Sequence, residues 1–155
     1  MKKIMIIALS FLAATAYGKG KADMSMKMNK MPEAVFIESK DMKWTAAEGL
    51  PGLQTSVIQG DATKGPHHAY MKFTAGFTAP LHHHTADHYA TVLAGTFILT
   101  ADGVEHRLPP GSYFSFKNKK MHSTACAAGA ECLIFSDVRG KWDVVPEKQN
   151  TIGSK

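Results

Sequence analysis

The stretch GFTAPLHHHTADHYATVLAG, residues 76–95, decides how the rest of this chain is read. Six of the eight histidines lie between His67 and His88, and four of them fall in this stretch. His82 and His84 are separated by one residue. In a strand, alternate side chains share a face, so an H-x-H pair presents two imidazoles to one side while His83 points to the other. His88 follows after Thr85-Ala86-Asp87, where a small turn or bulge returns it to the same pocket. His122 comes from a distant strand. Two local imidazoles and a remote one give a β-barrel the donor set that suits a divalent transition metal.

Outward from this stretch the signal is β. Residues 34–37, 53–59 and 69–73 read as strands, the last with clean alternation. Residues 89–100, interrupted by Gly95, read as two strands or one bent strand, and 112–116 and 132–138 as further strands. Gly49-Leu50-Pro51-Gly52, Gly60-Asp61 and Ala101-Asp102-Gly103 carry turn chemistry. No stretch of about a dozen residues holds a 3.6-residue apolar stripe. Many short strands with Gly and Pro turns predict an all-β barrel or sandwich.

The residues also match a family pattern. Gly76-x5-His82-x-His84-x3-His88-x6-Gly95 resembles the first cupin motif, G-x5-H-x-H-x3,4-E-x6-G. Gly103-x5-Pro109-x-Gly111 resembles the opening of the second motif, and His122 falls where that motif has its histidine. The resemblance covers roughly residues 50–140. From Gly49 to Gly95 the chain is also similar to small exported cupins related to the metal-binding domain of bacterial anti-sigma factors. It implies a double-stranded β-helix, the jelly-roll cupin barrel. It also implies one divalent metal ion (Zn, Fe, Cu, Mn or Ni) held by His82, His84, His88 and His122.

Two departures stand out. His88 occupies the position where most cupins carry glutamate, so four neutral imidazoles would leave a divalent ion at about +2 rather than about +1. Such a site favours anions and acidifies a bound water. Lys117 and Met121 stand where cupins often have prolines, which makes the loop before His122 atypical.

Other residues have weaker claims. At most one of His67 and His68 faces the pocket. His106 and Glu105 follow a hairpin turn and read as solvent-facing. Asp87 reads as an alternative ligand if the register slips by one, or as a carboxylate bonded to a ligand's free N–H. Tyr70, Phe73, Tyr89, Phe97, Tyr113, Phe114 and Phe116 supply aromatic bulk, most of it expected in the core and one or two rings at the barrel mouth. Trp44 and Trp142 lie near the two ends of the domain, placed to pack over a barrel rim.

The 155 residues suit one domain, and 45 % apolar with 20 % charged residues is ordinary globular composition. Met1-Lys2-Lys3 followed by the apolar run Ile4–Ala16 and Ala14-Thr15-Ala16 reads as a signal peptide, residues 1–18. That run is too short to span a bilayer, which needs about 20 apolar residues. The expected location is periplasmic or secreted, with no membrane association after cleavage. Residues 19–32 read as a flexible linker, 33–148 as the cupin domain and 149–155 as a tail. In the linker, Met24, Met26, Met28 and Met31 offer soft thioethers that suit Cu(I), or have no role. Without Lys2 and Lys3 the charge is 16 − 13 = +3, too weak and scattered to point to nucleic acid. Cys126 and Cys132 flank a turn-like stretch and, in an exported chain, read as a disulfide.

Two functions fit. One is a dioxygenase-type oxidoreductase acting on a small oxygen-rich molecule at the metal. The other is a non-catalytic module that senses or sequesters a metal or small anionic ligand. Sheet edges that need protection point to a homodimer.

Overall fold

The computed structural model describes residues 34–147. The expected signal peptide, the methionines of the linker and the C-terminal tail lie outside these residues. The chain divides into two units, residues 1–35 and 36–155, and every element named below belongs to the second.

Strands form wherever apolar and polar residues alternate and a partner edge is available. In chain order they are β1 (Thr45–Ala46), β2 (Leu53–Gly60), β3 (His67–Phe73), β4 (Thr78–His83), β5 (His88–Ala94), β6 (Phe97–Ala101), β7 (Val104–Leu108), β8 (Tyr113–Phe116), β9 (His122–Cys126), β10 (Cys132–Val138) and β11 (Val145–Pro146). They build two antiparallel sheets, ordered β1-β2-β3-β10-β5-β8 and β11-β4-β9-β6-β7. This is the all-β jelly roll expected from the motif spacing.

The expected strand at residues 34–37 is absent. Ala34–Ile37 are exposed and unpaired, with Phe36 93 % exposed, and a short 3-10 turn follows at Ser39–Asp41. An apolar run becomes a strand only when an edge accepts its hydrogen bonds, so local composition overcalled it.

The register stacks the interior in layers. β10 is central in the first sheet: Cys132 pairs with Phe73 at one end, and Val138 pairs with both His67 and His88 at the other. In the second sheet Phe97 pairs with Cys126 at the same apolar end, and His82 pairs with His122 at the other. One end of the barrel is therefore phenylalanine and cystine, and the other is histidine. A Cys126–Cys132 disulfide closes the apolar end, its sulfurs buried beside Phe73 and Phe97.

Two turns explain motif residues. Gly95 has φ +73°, and a Cβ there would lie 2.4 Å from the Glu131 carbonyl oxygen, so the β5–β6 turn accepts only glycine. Asp102 and Gly103 both take positive φ, as a two-residue type I′ hairpin between β6 and β7 requires.

The feature that positions the site is a bulge in β4. Ala79 pairs with Thr124 and His82 with His122, so three steps on β4 oppose two on β9. The extra residue falls at Pro80-Leu81, both exposed. Strict alternation from buried Ala79 would send positions 81 and 83 inward. The bulge reverses that parity, burying His82 and leaving His83 only half-buried. Pro80 has no N–H to contribute to the ladder, which is why a bulge tolerates it.

Candidate metal centre

The first donor pair arises from that bulge. His82 lies one residue before the end of β4 and His84 one residue past it, so the H-x-H reading holds although only His82 of the two sits within the strand. His88 opens β5 and His122 opens β9. All four are at least 93 % buried.

Ring nitrogens of His82, His84 and His122 lie within 4.8 Å of one another. His88 stands beside them, its ring centroid 4.8 Å from that of His84 and 6.2 Å from that of His122. The structure thus gathers three of the expected ligands tightly and sets the fourth at their margin.

Main-chain carbonyls orient the rings. His82 Nδ1 donates to the Pro80 carbonyl at 2.6 Å, His122 Nδ1 to that of Lys120 at 2.9 Å, and His84 Nδ1 to that of Asp143. His88 Nδ1 reaches the Ala86 carbonyl only at 3.5 Å, so this ring is the least tethered. With Nδ1–H engaged, Nε2 of each ring keeps its lone pair free for an ion. The bulge therefore acts twice, because its proline carbonyl also fixes the tautomer of His82.

Burial keeps these rings neutral. It pulls the imidazolium pKa of His84 down to about 3 and that of His122 to about 4, although each carbonyl hydrogen bond opposes the shift. His82 and His88 move the same way for the same reason. Neutral imidazole is the form that binds metal, so the fold prepares the donors at any ordinary pH.

Aromatic rings hold two ligands from the side. Phe116 stacks on His122 with centroids 3.9 Å apart, and Trp142 stacks on His84 at 4.1 Å. Trp142 therefore touches the site rather than merely covering a rim. Its backbone is fixed by its neighbours: the Trp142 main-chain N–H donates to the Ala62 carbonyl, and the Asp143 carboxylate accepts from the Thr85 N–H and hydroxyl. Partial burial opposes ionisation of Asp143, but the Thr85 bonds and nearby His84 and His83 outweigh it and hold its pKa below the usual carboxylate range. The segment 141–144 carries no metal-binding pattern, so its role was missed. The signal available was Thr85, a hydroxyl directly after His84.

Three weaker expectations resolve. Asp87 does not bond to a ligand imidazole; its carboxylate accepts the Asn118 N–H and so anchors the loop leading to His122. The outer bonds to the rings come from carbonyls instead. His67 is the inward member of its pair, buried on β3 with Nδ1 on the Gly65 carbonyl, yet it does not line the histidine chamber. His68 faces outward against Phe135 and Gln59, and His106 is exposed on β7.

The chamber enclosed by the histidines is small, about 40 Å³, with walls of Phe97, Leu99, Phe114 and Ile134. Among the described residues no carboxylate or amine lines it. Chemistry inside it would rest on the histidines and whatever they hold.

The family model described as the ChrR cupin-like domain matches residues 32–140. The chain is a cupin of this ChrR-like family. Solved structures agree on the fold. This cupin is similar to the polyketide cyclase RemF of Streptomyces resistomycificus, at TM-score 0.65 and 15 % identity, over 76 % of this chain and 88 % of that one. It resembles KdgF from Halomonas sp. at TM-score 0.56 and 21 % identity, over 77 % and 99 % of the two chains. It also resembles a chain of the Rhodobacter sphaeroides complex of SigE with the anti-sigma ChrR, at TM-score 0.51 and 18 % identity, over 65 % of this chain and 50 % of that one. No curated protein matches it. Cupin domains commonly bind a metal, and the three clustered histidines fit that property.

Proposed function

We propose that this cupin is an exported mononuclear metal protein in which His82, His84, His88 and His122 together hold one divalent transition ion that receives a small oxygen-donor ligand. The observation that carries the reading is the cluster of three buried rings within 4.8 Å, each with Nδ1 spent on a carbonyl. His88 is the natural fourth ligand, since its ring adjoins His84 and is loosely tethered at Nδ1. When bound, the ion would act as a Lewis acid toward an oxygen donor at positions the histidines leave open. The protein's own part is to keep the rings neutral, aim Nε2 inward and exclude bulk water.

Binding or sensing is favoured over acid–base catalysis because no carboxylate or amine lines the chamber among the described residues. Oxygen-dependent oxidation of the bound molecule is the second reading, supported by the apolar wall of Phe97, Leu99, Phe114 and Ile134 beside the histidines.

Elemental analysis of protein purified from its native compartment tests the assignment, with one ion per chain expected. His84→Ala should abolish stoichiometric binding, while His83→Ala should leave it intact. Equal loss in both would show that histidine richness, not this geometry, takes up the metal. His88→Glu should keep one ion per chain with altered metal preference; loss of the ion would refute His88 as a position for a ligand.

A further inference from the structure

Beside the small histidine chamber lies a much larger cleft, about 900 Å³, between the edges of the two sheets. Its walls come from β1 and β2 on one side and from β4, β11 and the 142–144 segment on the other. The two spaces adjoin and share walls, because Leu50, Leu53, Ala79, His82, Trp142 and Val144 line both. The chamber has room for one or two small atoms beyond an ion, whereas the cleft matches the size of an ordinary small-molecule site.

Their chemistry differs too. The chamber offers imidazoles and the hydroxyls of Thr124 and Ser136. Thr124 is 9 % exposed, shares the inward face of β9 with His122 and lines the chamber. The cleft is walled mainly by Leu50, Leu53, Val57, Trp142, Val144 and Pro146, with Lys43 and Glu48 as its only charged lining residues among those described.

We infer that the cleft and chamber form one binding site for a molecule with a compact oxygen-donor head and an apolar body. The head enters past His82 to the ion and the Thr124 hydroxyl, and the body lies in the cleft against Trp142 and Val57. The inference rests on the metal assignment above and sharpens it. A ligand bearing oxygens along its whole length would bury them against leucine and valine without partners, so sugar acids and other oxygen-dense molecules are disfavoured.

The test uses metal-loaded protein and two probes with the same chelating head, acetohydroxamate and octanohydroxamate, with affinity read by calorimetry. Octanohydroxamate should bind at least tenfold tighter. Val57→Asp changes a residue 43 % exposed, so folding should survive. It should remove most of that preference while leaving acetohydroxamate affinity alone. Thr124→Val should weaken both probes by a similar factor of several-fold. Equal affinity for the two probes, or a preference that Val57→Asp does not touch, overturns the inference while leaving the four-histidine reading intact. Failure to take up any metal overturns both.

Discussion

The two ends of the barrel serve opposite purposes, and β9 contributes to both. At one end β3, β6, β9 and β10 present Phe73, Phe97, Cys126 and Cys132, close-packed and cross-linked. At the other, β4, β5 and β9 present His82, His88 and His122 around a space left unfilled. The first end is held by burial of apolar surface, which needs no exact geometry. The second buries polar rings, which is tolerable only because each Nδ1 finds a carbonyl. Close apolar packing is therefore concentrated at the cystine end and the candidate metal donors at the histidine end, and perturbations should separate accordingly.

Acid should produce the largest effect, and only at the histidine end. Each of the four rings has a folded pKa below its ordinary value of 6.5. Below pH about 6.5 the unfolded chain takes up protons that the folded chain refuses, so metal-free stability should fall with pH until the folded pKa values are reached. Urea midpoints between pH 7 and 5, where carboxylates are still ionised, measure this; a flat profile would contradict the burial account.

Phe97→Ala should strike the other end, costing about 3–5 kcal/mol through the cavity it leaves. The metal stoichiometry of the remaining folded fraction should be unchanged, because Phe97 walls the histidine chamber without supplying a donor. His122→Ala should do the reverse, lowering metal affinity by on the order of 100-fold or more, with most of its thermal destabilisation seen only when metal is present. If Phe97→Ala loses metal as His122→Ala does, the two ends are one cooperative unit.

Opening the disulfide by paired Cys126→Ala and Cys132→Ala substitutions should cost about 2–3 kcal/mol, since the closed loop is short. Metal affinity should not change. The smallest effect lies in the 117–120 turn, where Asn118 and Lys119 both hold positive φ. Lys119→Gly should stabilise by about 0.5–1 kcal/mol, because glycine takes that conformation without strain. A loss of stability in the chemical melt would show that the Lys119 side chain contributes more than its backbone costs.

Most strands were legible because alternation and turn residues are local signals. Residues 53–59, 69–73 and 132–138 lie within β2, β3 and β10. The run 34–37 misled because pairing depends on an edge that composition does not reveal. The short β1 and β11 were invisible for the converse reason: two-residue strands exist only through their partners, Thr55-Gln54 and His83-His82. Trp142 was noticed as a large ring near the end of the domain, but its stacking on His84 depends on a segment 58 positions away in sequence.

By itself the sequence determined the motif: the H-x-H spacing, the remote His122, the glycine at position 95 and the cysteine pair, all of which follow from short-range geometry. The tertiary structure alone decided which way the histidines face. Side chains on a strand alternate with period two, so one extra residue at Pro80-Leu81 reverses every position after it, and that extra residue exists only relative to β9. It also decided which nitrogen of each ring is free, because the carbonyls that engage Nδ1 belong to a backbone already folded, including that of Asp143, 59 residues beyond His84.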